Sequence, residues 1–437
     1  MNSRSIDPAV ILPPEILAKI FDLCNPRARE WSSVPDEIYN PMSEAPWLLS
    51  HVSSHWRCIA LSTPMLWCFL YVLHWNARGL FQLVRLFVDR SKSTPISLSL
   101  FLFEIPTEAR PILELLMRES DRWEGLMLHG NITDIRSLSP IRGHLHRLRR
   151  LAIIPEGRPE DFDPPHIDIF SEAPCLRTVE TFDPEFYFVL PWNQLTEFIT
   201  WYSDSEIMPL LHVLQELTHL VTLRLARLKP DDIGEVGPAA HLPHLRSLKI
   251  IFDDLYGHPG DLLDHLLAPA LDSLSIDCED LAVVPHLTSF VSRSACTLAS
   301  FSLTAVNDID SALIDFLKLT PRLTRLCLHS LWSAGVSGEL LTQLTRMRPA
   351  TSPPVLPLLA SLLVRGVFNQ ALLFGLVASR FSPDPEDRLL RLKTLELFIE
   401  AVDLEPVLTY GLDALVGMGL EWCIKTDIDD LDHTVFQ

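Results

Sequence analysis

The sequence predicts an α/β chain in which a short helical N-terminal segment precedes a long array of strand-and-helix repeats. Three observations support this prediction. An apolar motif recurs through most of the chain at a nearly constant spacing, stretches with helical periodicity lie between its copies, and the N-terminal part has a different pattern of large apolar residues. Glycine is scarce and proline is frequent, at 16 and 34 of 437 residues, which favours many short elements with firm ends.

Length and charge restrict the classes of function. With 437 residues, 48% of them apolar and 21% charged, the chain has the composition of a folded protein and exceeds what a single small core needs. Its formal net charge of −20 repels nucleic-acid phosphates and anionic lipids. We therefore expect neither a nucleic acid nor a membrane as partner. The acidic stretch KTDIDDLDH near the C-terminal end is expected to be a solvated tail.

The eight cysteines and the N-terminus bear on the compartment. No two cysteines are spaced as CxxC, so we expect reduced thiols in a reducing compartment. The opening residues MNSRSIDPAV lack the apolar run of a signal peptide, and the apolar stretch from Met65 to Leu73 is far shorter than a membrane span. These features predict a cytoplasmic or nuclear protein.

The repeated motif is L-x-x-L-x-L, with other apolar residues allowed at each Leu. Its second and third apolar positions alternate with polar ones, so they point to one side of a short strand. Successive copies are 25, 28, 19, 25, 25, 26, 27, 25, 36 and 33 residues apart, and most of these steps match the period of leucine-rich repeats. The eleven copies begin at Trp123, Leu148, Leu176, Leu195, Leu220, Leu245, Leu271, Leu298, Leu323, Leu359 and Leu392.

Helix-like stretches lie between the motifs. Examples with apolar residues three and four apart are EIMPLLHVLQELTHL, GDLLDHLLAPA, DIDSALIDFLKLT and GELLTQLTRMR. One strand and one helix cannot bury their own apolar faces, so the copies must stack into a curved parallel sheet with helices outside. We predict a divergent leucine-rich-repeat-like α/β solenoid over residues 90–437. The Asn that usually follows the motif is in place only at Asn131, and loops are expected at 153–168 and 348–357.

The first helix of the N-terminal segment is expected to begin at Pro13 and Pro14, because proline lacks the N–H group that a helix start leaves unpaired. Apolar residues then follow at spacings of three and four and form one stripe, at Ile16, Leu17, Ile20, Phe21 and Cys24. The polar, proline-broken residues 25–46 predict a loop insertion.

Two more helices complete a predicted domain over residues 8–75. The second carries an apolar face made of Leu48, Leu49, Val52, Trp56, Ile59 and Ala60. A third, short helix is capped by Thr63 and Pro64 and carries Leu66, Trp67 and Leu70. Three short helices cannot bury this many large apolar residues, so we expect some of them to form an interface with another protein.

These segments resemble an F-box. The matching stretches are LPPEIL followed by Ile20 and Phe21, VSSHWR followed by Ile59 and Ala60, and STPMLW, and they cover residues 10 to 70. The pattern is similar to the F-box of large fungal families, which carry an insertion where this chain has residues 25–46. The resemblance implies that this domain binds the Skp adaptor of a cullin-based (SCF) ubiquitin ligase, while the C-terminal repeats recruit the protein to be ubiquitinated.

By motif position, the resemblance also implies which residues touch or shape the Skp-facing surface. Ile20 and Trp56 fit a purely structural role in the core equally well. The Skp-binding set is Leu12, Pro13, Glu15, Ile16, Leu17, Ile20, Val52 and Trp56.

No motif for catalysis or metal binding is apparent in the sequence. His51 and His55 are four apart on a predicted helix, as zinc ligands are in some proteases, but HVSSH lacks the Glu that would act as general base. GxSxG, phosphate-loop and dinucleotide-binding patterns are also absent from the sequence. We therefore expect no enzyme activity, no catalytic residue, no cofactor and no metal.

The concave sheet of the predicted solenoid is the expected target-binding surface. Arg224 and Lys249 stand at the same position in adjacent copies and should be stacked neighbours, which could bind an acidic or phosphorylated partner or could simply solvate the sheet. The loops at 153–168 and 348–357 are alternative sites. The expected substrate-binding residues are Trp201, Arg224, Lys249, Ile251 and Asp277.

Taken together, the sequence predicts the substrate-recruiting subunit of an SCF ubiquitin ligase, with the Skp adaptor, a cullin and an unknown target protein as partners. One alternative is a non-catalytic repeat scaffold without a ubiquitin-ligase role. A hydrolase is a third possibility and would require a cluster of polar groups in a deep pocket.

Overall fold

We describe the fold from a computed structural model of the chain. The chain forms two compact units, Met1–Thr200 and Trp201–Gln437. The structure describes residues 12–24, 46–103, 105–156, 167–181, 188–201, 207–226, 239–251, 259–279, 281–331, 334–346, 355–381, 391–398, 406–417 and 419–425.

The first unit contains a parallel sheet. Each of its strands pairs in parallel with the next along the chain. The strands are β1 (Phe69–Val72), β2 (Ile96–Leu102), β3 (Trp123–Asn131), β4 (Arg150–Glu156), β5 (Thr178–Thr181) and β6 (Glu197–Thr200). The α-helices described in this unit are α1 (Pro14–Leu23), α2 (Trp47–Val52), α3 (Ser54–Ser62), α4 (Leu80–Ser91), α5 (Arg110–Met117) and α6 (Ile132–Arg136).

The second unit repeats the same arrangement. Its long strands pair in parallel in the order given, with two short two-stranded ladders beside them. The long strands are β7 (Thr222–Ala226), β9 (Ser247–Ile251), β11 (Ser273–Cys278), β12 (Ser300–Ala305), β13 (Arg325–Ser330), β15 (Ser361–Arg365), β17 (Thr394–Phe398) and β18 (Glu421–Lys425). The short ones are β8 (Ala240–His241), β10 (Leu266–Leu267), β14 (Gly335–Val336) and β16 (Val367–Phe368).

Helices separate most of these strands, as the apolar spacing predicts. All four helix-like stretches named from the sequence contain a helix. The α-helices described in the second unit are α7 (Ile207–Glu216), α8 (Pro259–Asp264), α9 (Val284–Ser294), α10 (Leu313–Lys318), α11 (Gly338–Leu344), α12 (Gln370–Phe381) and α13 (Pro406–Val416). The α/β repeat architecture with parallel strands is therefore confirmed, and each of the eleven motifs coincides with a strand.

Buried and half-buried side chains alternate along the strands of the second unit, and the buried ones form its core. In β11, the buried side chains of Leu274 and Ile276 alternate with the half-buried side chains of Ser275 and Asp277. The same buried and half-buried order runs through β9, β12 and β15. One face of the second unit's sheet is thus core, and the other face is partly accessible to a partner.

The first unit differs, because the middle of its sheet is buried on both faces, whereas β1 at its edge keeps the alternating pattern. Ser99, Met127 and Glu180 point away from the neighbouring core leucines, yet they too are buried. A partly accessible face that extends over several neighbouring strands is therefore described in the second unit.

The sequence expectations need three corrections near the N-terminus. The second helix is interrupted at Ser53, whose extended backbone ends α2 and whose hydroxyl accepts a hydrogen bond from the Trp56 backbone N–H, which starts α3. The short third element is a 3₁₀-helix, Pro64–Trp67, and Leu70 lies in β1. The sheet therefore begins at Phe69, inside the expected 8–75 domain.

Asn131 has a local role that the repeat pattern did not indicate. It ends β3 and caps α6, because its Oδ1 accepts a hydrogen bond from the Asp134 backbone N–H at 2.8 Å. Most of the expected insertion at 25–46 lies outside the described residues. So do most of the expected loops, at 157–166 and 347–354, and the acidic end beyond residue 425.

Candidate functional site

The first helix is apolar on two sides. Leu17 and Phe21 face inward and are buried. Ile16 and Ile20, one helical turn apart, are 41% and 40% exposed, and Leu23 is 83% exposed. A helix that only covered its own core would place polar residues on its outer side. The outward side of α1 therefore carries a row of exposed apolar residues.

The second helix extends this property. Leu48 and Val52 are also one turn apart, and both are 58% exposed, whereas Leu49 between them is buried. We call the exposed apolar side chains of α1 and α2, together with Leu12 just before α1, the apolar face. Its members are Leu12, Ile16, Ile20, Leu23, Leu48 and Val52.

An aromatic base supports these helices. Trp67 is buried and donates its indole N–H to the Ala60 carbonyl at 2.9 Å. Its ring packs edge-on against Trp47 and against Phe87 of α4, with centroids 5.4 and 5.1 Å apart, and the Arg90 guanidinium lies 4.6 Å from it. The base holds α2, α3 and α4 together, so the part of the apolar face on α2 rests on packed elements.

The expected Skp-binding residues separate into three groups. Leu12, Pro13, Glu15, Ile16, Ile20 and Val52 are exposed. Trp56 is half-buried, with its ring 4.8 Å from that of Phe21. Leu17 is 2% exposed and can shape this surface only from beneath. Leu23 and Leu48 were missed, although their spacing of three and four from Ile20 and Val52 was a usable signal.

A second candidate site lies on the partly accessible sheet face of the second unit. Arg224 and Lys249 occupy paired positions on β7 and β9, which confirms that they are neighbours. Ile251 lies two residues further on β9, and Asp277 lies on β11. Trp201 directly follows β6 and lies outside this set of paired strand positions.

Burial and neighbouring charges shift the pKa values of Lys249 and Asp277. Burial lowers the pKa of Lys249, and Arg224 lowers it further, while Asp277 acts in the opposite direction. Burial raises the pKa of Asp277, against a hydrogen bond from Thr304 and the charge of Lys249. Burial therefore disfavours the charged forms of both Lys249 and Asp277, and the opposite charge of each partly offsets this effect on the other.

The structure adds residues to this site that sequence reasoning did not select. His329, Arg365 and Glu396 lie on β13, β15 and β17, on the same face as Lys249. Burial lowers the pKa of His329 to about 4, with contributions from Arg365 and Lys249. These residues stand at motif positions equivalent to Asp277 or Lys249, so aligning the later copies would have found them.

Other kinds of site were sought in the described part of the chain. Within it, no group of three or more His, Cys, Asp or Glu residues is placed to hold a metal ion, and no helix is both long and apolar enough to cross a bilayer. All eight cysteines are described, and none forms a disulfide. Neither the scan against protein-family models nor the search of curated proteins gives a significant match to this chain.

Proposed function

We propose that this protein is a substrate-recruiting subunit of an SCF ubiquitin ligase, in which the N-terminal helices bind the Skp adaptor and the second unit binds a target protein. The observation that carries the proposal is the row formed by Ile16, Ile20 and Leu23, exposed on a helix whose opposite side is already buried. The likeness of this segment to an F-box supplies the identity of the partner.

The free energy gained by burying these apolar side chains favours a protein partner for this row. Fully burying one Leu or Ile side chain gains about 1.5–3 kcal/mol. Covering the partly exposed members of the apolar face would therefore gain several kcal/mol. Spacings of three and four are those by which a helix inserts apolar anchors into a groove of a partner.

Recruitment needs no chemistry from this chain. An adaptor-bound subunit raises the local concentration of its target near the catalytic subunit of the ligase, and this proximity accelerates transfer. The apolar face and the partly accessible sheet face belong to different compact units, which suits two simultaneous partners.

The decisive test is co-purification of the full chain with the Skp adaptor and a cullin. The double variant Ile16→Ala with Ile20→Ala should lose at least about tenfold in adaptor affinity, because two interface anchors are truncated. The matched control is Leu319→Ala with Val367→Ala, which truncates two exposed apolar residues of the second unit. Equal adaptor binding by the two double variants would reject the assignment of this face.

The same experiment separates a ligase subunit from a scaffold. The ligase subunit should retain cullin together with the adaptor. Adaptor binding without cullin would instead identify the chain as a repeat scaffold with no role in ubiquitination.

A further inference from the structure

The last described strand of the second unit, β18, carries core residues that no later described strand covers. It pairs with β17 on one side, and within the described residues no strand pairs with its other side. Trp422 and Ile424 are paired with buried leucines of β17, so they occupy core positions of the repeat. Trp422 is nevertheless only half-buried, and Ile424 is 38% exposed. A solenoid usually covers such positions with a polar capping repeat.

The helix of the same repeat also exposes apolar side chains. In α13, Tyr410 and Val416 are both exposed. The indole N–H of Trp422 donates a hydrogen bond to a carboxylate oxygen of Asp413 in this helix at 3.2 Å, which ties the strand to the helix. The last described repeat therefore presents apolar surface beside a strand edge.

The outer edge of β18 has the geometry to accept another strand. The Glu421 backbone N–H donates to the Lys393 carbonyl at 2.8 Å, so the backbone groups of Glu421 and Cys423 point toward β17. The backbone groups of the alternate residues, Trp422 and Ile424, therefore point to the outer edge. Such an edge is a template for a strand of another chain.

The sequence of β18 indicates that a second copy of this chain fits the edge. The strand reads Glu-Trp-Cys-Ile-Lys, with opposite charges at its two ends, apolar residues inside them and Cys423 at the centre. Antiparallel pairing about Cys423 places Glu421 of each copy opposite Lys425 of the other, and Trp422 opposite Ile424. Opposite-charge pairs and pairs of an aromatic with a β-branched residue stabilise neighbouring strands.

Backbone geometry and charge select this register over its neighbours. Because alternate residues direct their backbone groups outward, the partner strand can shift only in steps of two residues. One such shift places Glu421 opposite Cys423, and the other places Cys423 opposite Lys425. Neither shifted register brings the two opposite charges together.

We propose that two copies of this chain form a two-fold dimer in which their β18 strands pair antiparallel about Cys423. A two-fold interface uses the same surface on both copies, as the order of charges in β18 requires. The formal charge of −20 on each copy opposes association at long range, but physiological salt screens exposed charges more than about 8 Å apart. The proposed function is not a premise of this inference, because neither the adaptor nor a target takes part.

Disulfide trapping tests the register. In the proposed pairing the Cα atoms of the two Cys423 residues are about 4.5 Å apart, which a disulfide can span. Cys24 and Cys58 are also exposed, so the full chain is used with Cys24→Ser and Cys58→Ser. Diamide, which oxidises two thiols to a disulfide, should convert this protein into a covalent dimer. The matched control carries Cys24→Ser with Cys423→Ser, which keeps Cys58, and should cross-link at least about tenfold more slowly.

Sedimentation velocity at physiological salt measures the dimer without cross-linking. The mass of the wild-type chain should approach twice that of the monomer as its concentration rises. Glu421→Lys places like charges opposite each other twice per dimer and should weaken association at least about tenfold. Exchanging the charges, by Glu421→Lys with Lys425→Glu, should restore most of the affinity. The matched control Glu216→Lys, at an exposed position of α7, should associate like the wild type.

Three results would overturn the inference. They are a monomer at every concentration, cross-linking through Cys423 no faster than through Cys58, and a charge exchange that fails to restore the association lost in Glu421→Lys. Circular dichroism establishes that each variant is folded, and disulfide trapping leaves β18 unchanged, so it decides the matter even if a charge variant does not fold. The adaptor is absent from both measurements, so their outcome leaves the co-purification test unaffected.

Discussion

The rings of Phe21 and Trp56 lie 4.8 Å apart and are tilted by 50° to each other. This contact joins α1 to α3, although the two helices are separated by the long segment that the sequence predicts to be a loop. It also bears on which side of α1 faces outward, because Phe21 packs on Trp56 and is buried together with Leu17, whereas Ile16 and Ile20 are exposed.

Trp56 should therefore act on α1 rather than only through a partner contact. Trp56→Ala is expected to lower the free energy of unfolding by about 1–3 kcal/mol, since it removes a half-buried aromatic ring and the contact of that ring with Phe21. Hydrogen exchange of the α1 backbone amides should become faster in this variant. Ile20→Ala is the control and should leave that exchange unchanged, and unchanged exchange in Trp56→Ala would refute the anchoring role.

Leu17 and Ile20, three residues apart on one helix, should respond oppositely in two assays. Leu17→Ala leaves a cavity in the core and should lower the free energy of unfolding by about 2–5 kcal/mol. Ile20→Ala removes an exposed side chain and should change it by less than about 1 kcal/mol, while weakening adaptor binding more than its stability effect explains. Urea unfolding and adaptor titration of both variants measure the two effects, and a large stability loss in Ile20→Ala would contradict the assignment.

Arg380 should be a structural cation of the second unit. It is 7% exposed and donates hydrogen bonds to the carbonyls of Leu344, Val355 and Leu356 at 2.6–3.0 Å. Arg380→Met preserves much of the volume but leaves these carbonyls without that donor, so we expect a loss of about 3 kcal/mol.

Two measurements check the Arg380 prediction. Urea unfolding should show the loss, and limited proteolysis between residues 346 and 357 should accelerate, because Arg380 holds the chain at Val355 and Leu356. The control is Lys318→Met, whose ammonium is exposed and paired with Asp315, and it should change stability by at most about 0.5 kcal/mol. Equal behaviour of the two variants would show that Arg380 is dispensable.

His329 should make stability depend on pH. Its pKa in the folded chain is about 4, below the usual value of 6.5, so below pH 6.5 the unfolded chain binds more protons than the folded one. Stability that is complete above pH 6.5 should be lost progressively down to pH 4. Between pH 7 and pH 5 we expect a loss of about 1–2 kcal/mol from this group.

The variant His329→Gln isolates this contribution. Asp277, whose raised pKa acts in the opposite sense at low pH, is retained in both proteins, so its effect cancels in the comparison. Urea unfolding midpoints of the wild type and of His329→Gln, each measured at pH 7 and pH 5, give the part of the pH-dependent stability loss that is due to His329. A parallel decline of the wild type and the variant would show that His329 is not held neutral by the fold.

The repeats could be read from the sequence because the signal is local and frequent. Each of the eleven motifs alternates apolar and polar residues, and stacking the copies in order puts Arg224 beside Lys249 without any further information. Of the strands without an assigned motif, β2 and β18 have Pro95 and Gly419 where the motif expects its first Leu, whereas WCFLYV at β1 begins with Trp67 and fits the pattern as the copy at Trp123 does. The strand itself needs only the later apolar positions, so these copies still join the sheet.

The N-terminal helices illustrate where local signals fail. A continuous apolar periodicity across residues 48–60 favours one helix, yet the hydroxyl of Ser53 caps a new helix. An apolar stripe that includes both Ile16 and Leu17 cannot by itself say which of them is buried. Contact with Trp56 decides it, and Trp56 lies beyond a long insertion.

By itself, the sequence determined the repeat, its strands and the basic pair, because alternation and period act within one copy. The tertiary structure alone decided that Leu17 is buried while Ile20 is exposed, and that the Nε2 atom of His329 is shielded from solvent. The physical reason is that these outcomes depend on packing between distant segments. The 36-residue step between the β13 and β15 motifs shifts no register, because the hydrogen bonds of the sheet align the two strands whatever the length of the chain between them.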